Sequence, residues 1–319
     1  MKLTNLCLLF VLLELSFIMI IDSRVNHLTA IAGKAREYNK ALDSSVDDGA
    51  RDLVEVDSKR NVYLNKEKAV EQFFLSLYAN FGVTGDGLQQ RKLHEHIPII
   101  LITDQDGFYL YYKDIYETLE GVVLRERWSE KYTYTYEDNN FIYNFTLGDI
   151  VTLYDKDTNE ISTGNYMELG LLYADSAMAE KDAFDAIRRT AIIEQLTKQM
   201  NYYISKYNNI AYQFGITYQF WLPSIDKADW YRTIDDISIF VIFQNYPYYA
   251  GSLDTYNRYS FGGARITKSN LYYIKGVNGI KYYHKADCDY ININEMENTY
   301  FTKEECAIEG AFPCPDCNP

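Results

Sequence analysis

The sequence predicts an α+β protein in three parts. Residues 1–55 form an N-terminal transmembrane helix that continues as an amphipathic stalk. Residues 56–275 form a mixed α+β head with antiparallel hairpins and one long helix. Residues 276–319 form a small C-terminal zinc knuckle. Three observations lead there. Residues 6–21 are apolar apart from Glu14 and Ser16, and counted from Leu3 the run is 19 residues long, close to the ~20 that cross a bilayer as a helix. The chain carries 31 Tyr but only 6 Pro, and its aromatic residues (16%) gather in alternating segments bounded by turns, the pattern of paired strands. Four of the 5 Cys lie in the last 32 residues.

The apolar run reads as an uncleaved anchor. The competing signal peptide has its nearest small-x-small site at Ala30-Ile31-Ala32, 11 residues beyond the run, far for a cleavage site. Val25, Leu28, Ala32, Ala35, Tyr38 and Leu42 then recur at three- and four-residue steps, so the helix continues to about Ala50. In lipid, Glu14 calls for a partner. It is read either as a subunit contact in the membrane or as a protonated or snorkelling side chain. The expected partners are the membrane and a homo- or hetero-oligomer formed through the anchor helix. The body is placed outside the cytoplasm as a single-pass membrane protein, although Arg24, Lys34, Arg36 and Lys40 follow the run and pull the other way. An apolar helix with one buried Glu, an amphipathic extension and a globular head resembles pilins and the pseudopilins of secretion systems over about the first 50 residues. That resemblance implies a place in a pilus-like or secretion assembly.

In the head, Asn65 is the expected N-cap of a helix from Lys66 to about Asn80, with Ala69, Phe73, Phe74, Leu77, Tyr78 and Phe81 as its apolar stripe and Gly82 at its end. A polar stretch runs on to His96. Residues 97–102 and 108–112 flank Asp104-Gln105-Asp106-Gly107 as a hairpin. Strands follow around 131–136, 141–145 and 150–154. A long helix is expected from Ser176 to Tyr207, capped by Asp175 or Ser176, burying Ala177, Phe184, Ile187, Ala191, Leu196, Met200, Tyr203 and Tyr207. Residues 237–243 are the most apolar strand. Residues 271–275 and 280–284 pair around Gly276-Val277-Asn278-Gly279.

The tail carries the strongest motif. His284 and Cys288 form H-x3-C, and Cys314 and Cys317 form C-x2-C, with 25 residues between. Two such pairs build a tetrahedral zinc site, and four protein ligands close the coordination sphere, the pattern of a structural rather than a catalytic ion. The expected cofactor is one structural Zn2+. A disulfide-bonded tail is the alternative, but it has no need of His284. Between the pairs, Thr302-x-x-Glu305 reads as a capping box and Gly310 as the stop of a short helix. Cys306 on that helix reads as a small buried apolar residue. Tyr283, His284, Cys288, Gly310, Pro313, Cys314 and Cys317 resemble the zinc-binding module of Ada-type DNA methyl-phosphotriester acceptors. Similar tails accompany secreted nuclease-like and membrane-anchored bacterial proteins. In the methyl acceptors the first ligand is the Cys that takes the methyl group. Here that position is His284, so methyl transfer is not implied.

Charge weighs against nucleic acid. The chain has a net charge of −14, and residues 281–319 hold three Lys against eight Asp or Glu, the wrong sign for phosphate contacts. No catalytic constellation stands out. His94-x-His96 reads as an exposed polar loop. Asp104-x-Asp106-Gly107 lacks the Glu of a calcium loop, since Lys113 stands there. Only four His exist, none set beside a nucleophile elbow. The sequence therefore points to a structural or interaction protein with a zinc module, with a membrane-tethered hydrolase or nuclease as the alternative.

Overall fold

A computed structural model describes residues 3–56, 62–119, 121–178, 180–249, 251–264, 272–277, 279–285, 288, 290, 299–300 and 303–317. The chain forms two units, Met1–Ala264 and Arg265–Pro319.

The first unit begins with α1 (Leu3–Arg51), the short pair β1 (Val54–Val56) and β2 (Val62–Leu64), and then α2 (Lys66–Asn80) and α3 (Gly87–Glu95). The strands β3 (Ile99–Asp104), β4 (Gly107–Thr118) and β5 (Gly121–Trp128) come next. After them stand β6 (Tyr134–Glu137), β7 (Phe141–Phe145), β8 (Ile150–Asp155) and β9 (Ile161–Asn165). The unit ends with α4 (Tyr166–Leu172), α5 (Lys181–Gln213), α6 (Lys227–Ile234), β10 (Ser238–Pro247) and β11 (Thr255–Gly263).

The main sheet is antiparallel throughout, in the order β11-β10-β3-β4-β5. Residues 238–244 of β10 are buried without a break, because helices cover both faces. On one face Ile239 approaches Gly49 of α1. On the other Phe240 stacks on Trp230 of α6, and Tyr112 packs on Tyr203 of α5. A second antiparallel sheet, β6-β7-β8-β9, lies beside α5: Gln195 donates to the Thr135 carbonyl and Arg188 to the Leu147 carbonyl.

No helix among the described residues is long and apolar enough to cross a membrane. This overturns the expected transmembrane anchor, and with it the placement of the body as a single-pass membrane protein. Glu14 and Ser16 interrupt the apolar run. The same 49-residue helix then passes directly into polar sequence and supplies core to the α+β unit. Its later face buries Ala41, Leu42, Val46 and Ala50, while Val25 and Leu28 of the expected stripe remain exposed. Tyr38 marks the transition, stacked on Phe81 and Tyr248 and edge-on to Tyr246 and Tyr256. Glu14 itself is exposed.

Two other expectations shift. The polar stretch before His96 is α3, capped by Asp86, which accepts from the N–H groups of Leu88 and Gln89. The long helix starts five residues later than expected, after Glu180, whose side chain makes no capping bond. Ser176 instead closes a local turn, accepting from Met178 N–H.

The second unit pairs β12 (Tyr272–Val277) with β13 (Ile280–Lys285), and adds β14 (Thr299–Tyr300), α7 (Lys303–Ile308) and β15 (Phe312–Pro313), in sheet order β14-β12-β13-β15. Val277 pairs with Ile280, so the pairing runs closer to the turn than the expected four-residue connection. Gly279 takes φ +81°, as such tight turns require. Tyr272, Tyr283, Cys306 and Ala311 make a small core. Thr302 of the expected capping box lies outside the described residues. Gly310 closes α7 in the left-handed conformation: its N–H reaches Ala307 O, and Ala311 N–H reaches Cys306 O, a Schellman motif.

Candidate metal centre

The hairpin and the Schellman turn together place the four expected ligands. β13 delivers His284 near its end, and a turn bonded from Cys288 N–H to Lys285 O brings Cys288 back beside it. After α7 the chain returns as β15, parallel to β13, with Tyr282 opposite Phe312 and Tyr283 opposite Pro313. Cys314 therefore emerges next to His284, and the turn over 315–317 presents Cys317.

The candidate ligand atoms of His284, Cys288, Cys314 and Cys317 all lie within 4.8 Å of one another. A tetrahedral site with Zn–S of ~2.3 Å and Zn–N of ~2.0 Å needs ligand–ligand edges of roughly 3.5–3.8 Å. His284 Nδ1 stands 3.2 Å from Cys288 Sγ, so small adjustments close the figure. His284, Cys288 and Cys314 are buried and Cys317 half-buried. All five cysteines of the chain are free thiols. The four residues form a group that can hold one metal ion.

The electrostatics favour the ligand form at His284 and Cys314 and oppose it at Cys288. Burial, and then the charge of Lys275, hold the His284 imidazole below its ordinary pKa, which keeps it neutral, as a ligand must be. Its Nε2 is buried without a hydrogen-bond partner among the described residues. Buried polar atoms rarely lack one, and a cation completes the bonding of such a ring. Burial pushes the Cys288 thiol up to about 11. Burial also acts on Cys314, but the backbone N–H groups of Cys317 and Asp316, with the neighbouring thiols, outweigh it and bring Cys314 below its ordinary value. N–H groups aimed at a sulfur favour its thiolate. Cys306 is fully buried in the small core and lies outside the ligand group.

The remaining candidates separate in space. His94 stacks on Phe74 at a 3.6 Å centroid distance and lies 3.4 Å from Glu126. His96 is buried and donates from Nδ1 to the Gln244 carbonyl at 3.0 Å. The expected exposed loop is thus the end of α3 and its cap, and the two rings have different partners. Asp104 and Asp106 both accept from Lys131 Nζ, so one ammonium is shared between the two carboxylates of their turn. Sequence reading missed a second group, Lys113, Glu126 and Tyr207, which come together from β4, β5 and α5 around one cavity. Its signal was a lysine embedded in the apolar part of a strand. Compared with protein-family models, curated proteins and solved structures, the chain matches none.

Proposed function

We propose that the chain is a non-enzymatic interaction protein whose C-terminal unit is held folded by one structural Zn2+ on His284, Cys288, Cys314 and Cys317. The donor set carries this reading: one imidazole and three thiols, converging within 4.8 Å. Soft sulfur donors select zinc over magnesium or calcium, and four protein ligands leave no open position for a substrate. The small core of Tyr272, Tyr283, Cys306 and Ala311 supports the same conclusion, since units of this size usually need a staple. The chain then acts by contact with other macromolecules in an assembly, not by chemistry at the metal.

Elemental analysis of the purified full chain tests the metal. About one zinc per chain is expected, falling several-fold in a His284→Ala, Cys288→Ser double variant. A metal-free protein with its tail thiols oxidised to disulfides would overturn it. Cleavage of DNA or RNA by the full chain with Mg2+ or Ca2+ would overturn the non-enzymatic half.

A further inference from the structure

A cavity of about 650 Å³ opens in the first unit between α2, α3, the β4–β5 pair and the end of α5, a size that suits a small molecule. Two polar side chains on its floor have unspent bonding capacity. Lys113 is 7% exposed. Its ammonium donates to the His94 carbonyl at 2.7 Å, and no carboxylate among the described residues lies within ion-pair distance, so two of its three N–H bonds remain. Tyr207 is 1% exposed. Its hydroxyl is buried without a hydrogen-bond partner among the described residues, and Lys113 Nζ stands 5.6 Å from the centre of its ring.

Both groups can donate, which selects an acceptor that is anionic or strongly polar. The rest of the lining narrows the class. Glu126 is the direct cross-strand partner of Lys113, so the two side chains leave the same face of the sheet from Cβ atoms about 5 Å apart. Glu95 and Arg91 stand at the rim. Lys113 and Arg91 stand against Glu95 and Glu126, with His94 3.4 Å from Glu126 on the same wall, so the lining has no large excess of positive charge, which disfavours a multiply charged anion such as phosphate. Leu124, Phe214 and Ile216 supply an apolar wall.

We propose that this cavity binds a free α-amino acid with an apolar side chain. Its carboxylate sits on Lys113 and the Tyr207 hydroxyl, its ammonium on Glu126, and its side chain against Leu124, Phe214 and Ile216. An α-amino acid carries its two charges on one carbon, the spacing that neighbouring cross-strand residues present. Burial also pushes the Lys113 ammonium down to about 8, and a carboxylate beside it favours the charged form. The site lies wholly in the first unit and does not depend on the metal reading.

Calorimetric titration of the full chain tests it, with L-phenylalanine and L-leucine as probes, and with phenethylamine and 3-phenylpropionate as molecules keeping only one charge each. Saturable binding is expected for at least one amino acid, about tenfold or more tighter than for either single-charge molecule. Lys113→Met should weaken it about tenfold or more, and Tyr207→Phe, which removes only the hydroxyl, about fivefold. Three results would overturn the proposal: no saturable binding of either amino acid at millimolar concentration, equal binding of a single-charge molecule, or unchanged affinity in a folded Tyr207→Phe protein.

Discussion

The backbone N–H of Cys314 donates to the carbonyl of Tyr283 at 3.0 Å. That bond extends the β13–β15 pairing by one step and sets the second ligand pair beside the first, so the metal group and the small sheet stand or fall together. Loss of a ligand should therefore loosen the sheet as well as the ion, since binding free energy at such sites is folding free energy. Cys314→Ser should lower zinc content several-fold and expose the tail to protease. Cys306→Ala, which touches the core but not the ligand group, should keep about one zinc per chain and cost roughly 1 kcal/mol or less. Metal analysis and limited proteolysis of the two variants side by side separate the roles.

Two glycines set how closely α1 can lie on its neighbours. A Cβ at Gly49 would meet Ala69 O at 2.9 Å and Phe73 Cβ at 3.0 Å. One at Gly262 would meet Ala50 Cβ at 3.0 Å and Val46 O at 3.1 Å. Neither set of contacts is the free end of a flexible side chain. Gly49→Ala and Gly262→Ala should each destabilise the first unit by about 1–3 kcal/mol through overpacking, read as a lower urea midpoint with unchanged slope. Gly33→Ala, where the Cβ meets nothing within 4 Å, should stabilise slightly or leave the midpoint in place.

A third glycine is constrained by the turn between β3 and β4. A Cβ on Gly107 would stand 2.3 Å from Tyr132 O, inside the bridge in which Phe108 and Tyr132 exchange backbone bonds of 2.8 and 2.9 Å. Gly107→Ala must break that bridge or move the chain that carries Lys131, whose ammonium holds Asp104 and Asp106. The expected loss is about 2 kcal/mol or more. Faster amide exchange at Phe108 and Tyr132 than at Leu101 would locate the damage.

Where a signal is local, the sequence can be read directly. Asn65 caps α2 because its own side chain accepts from Lys68 N–H, and Gly82 ends the same helix at φ +67°. The metal ligands are legible for the same reason: each pair sits within a few residues. The parallel pairing of β13 with β15, which joins the pairs across 25 residues, has no local signature. α3 was missed because only Leu93 of its nine residues is buried, leaving no apolar stripe to trace. The apolar run of α1 misled through composition alone. The role of that helix is decided further along it, where residues 41–50 are drawn into the core by α2 and β11. Lys113 and Tyr207 lie 94 positions apart in the sequence, and only the packing of α5 on the sheet makes them neighbours.

His96 gives the fold an acid-sensitive point. Its ring donates to Gln244 O, and Gln244 N–H donates back to His96 O at 2.9 Å, while Tyr218 stacks on it and Tyr246 meets it edge-on. Burial, reinforced by the nearby Lys113 charge and opposed by the Gln244 carbonyl, holds its pKa down at about 4 against an ordinary 6.5. Between those values the unfolded chain takes up a proton that the folded chain refuses. Stability is therefore full above about pH 6.5 and falls as the pH drops toward 4, by about 3 kcal/mol from this residue alone. His96→Asn keeps a donor for Gln244 but cannot titrate, so it should flatten that limb. Urea midpoints at pH 7.5, 5.5 and 4.5 measure the effect. Parallel pH profiles for the two proteins would remove His96 as the cause.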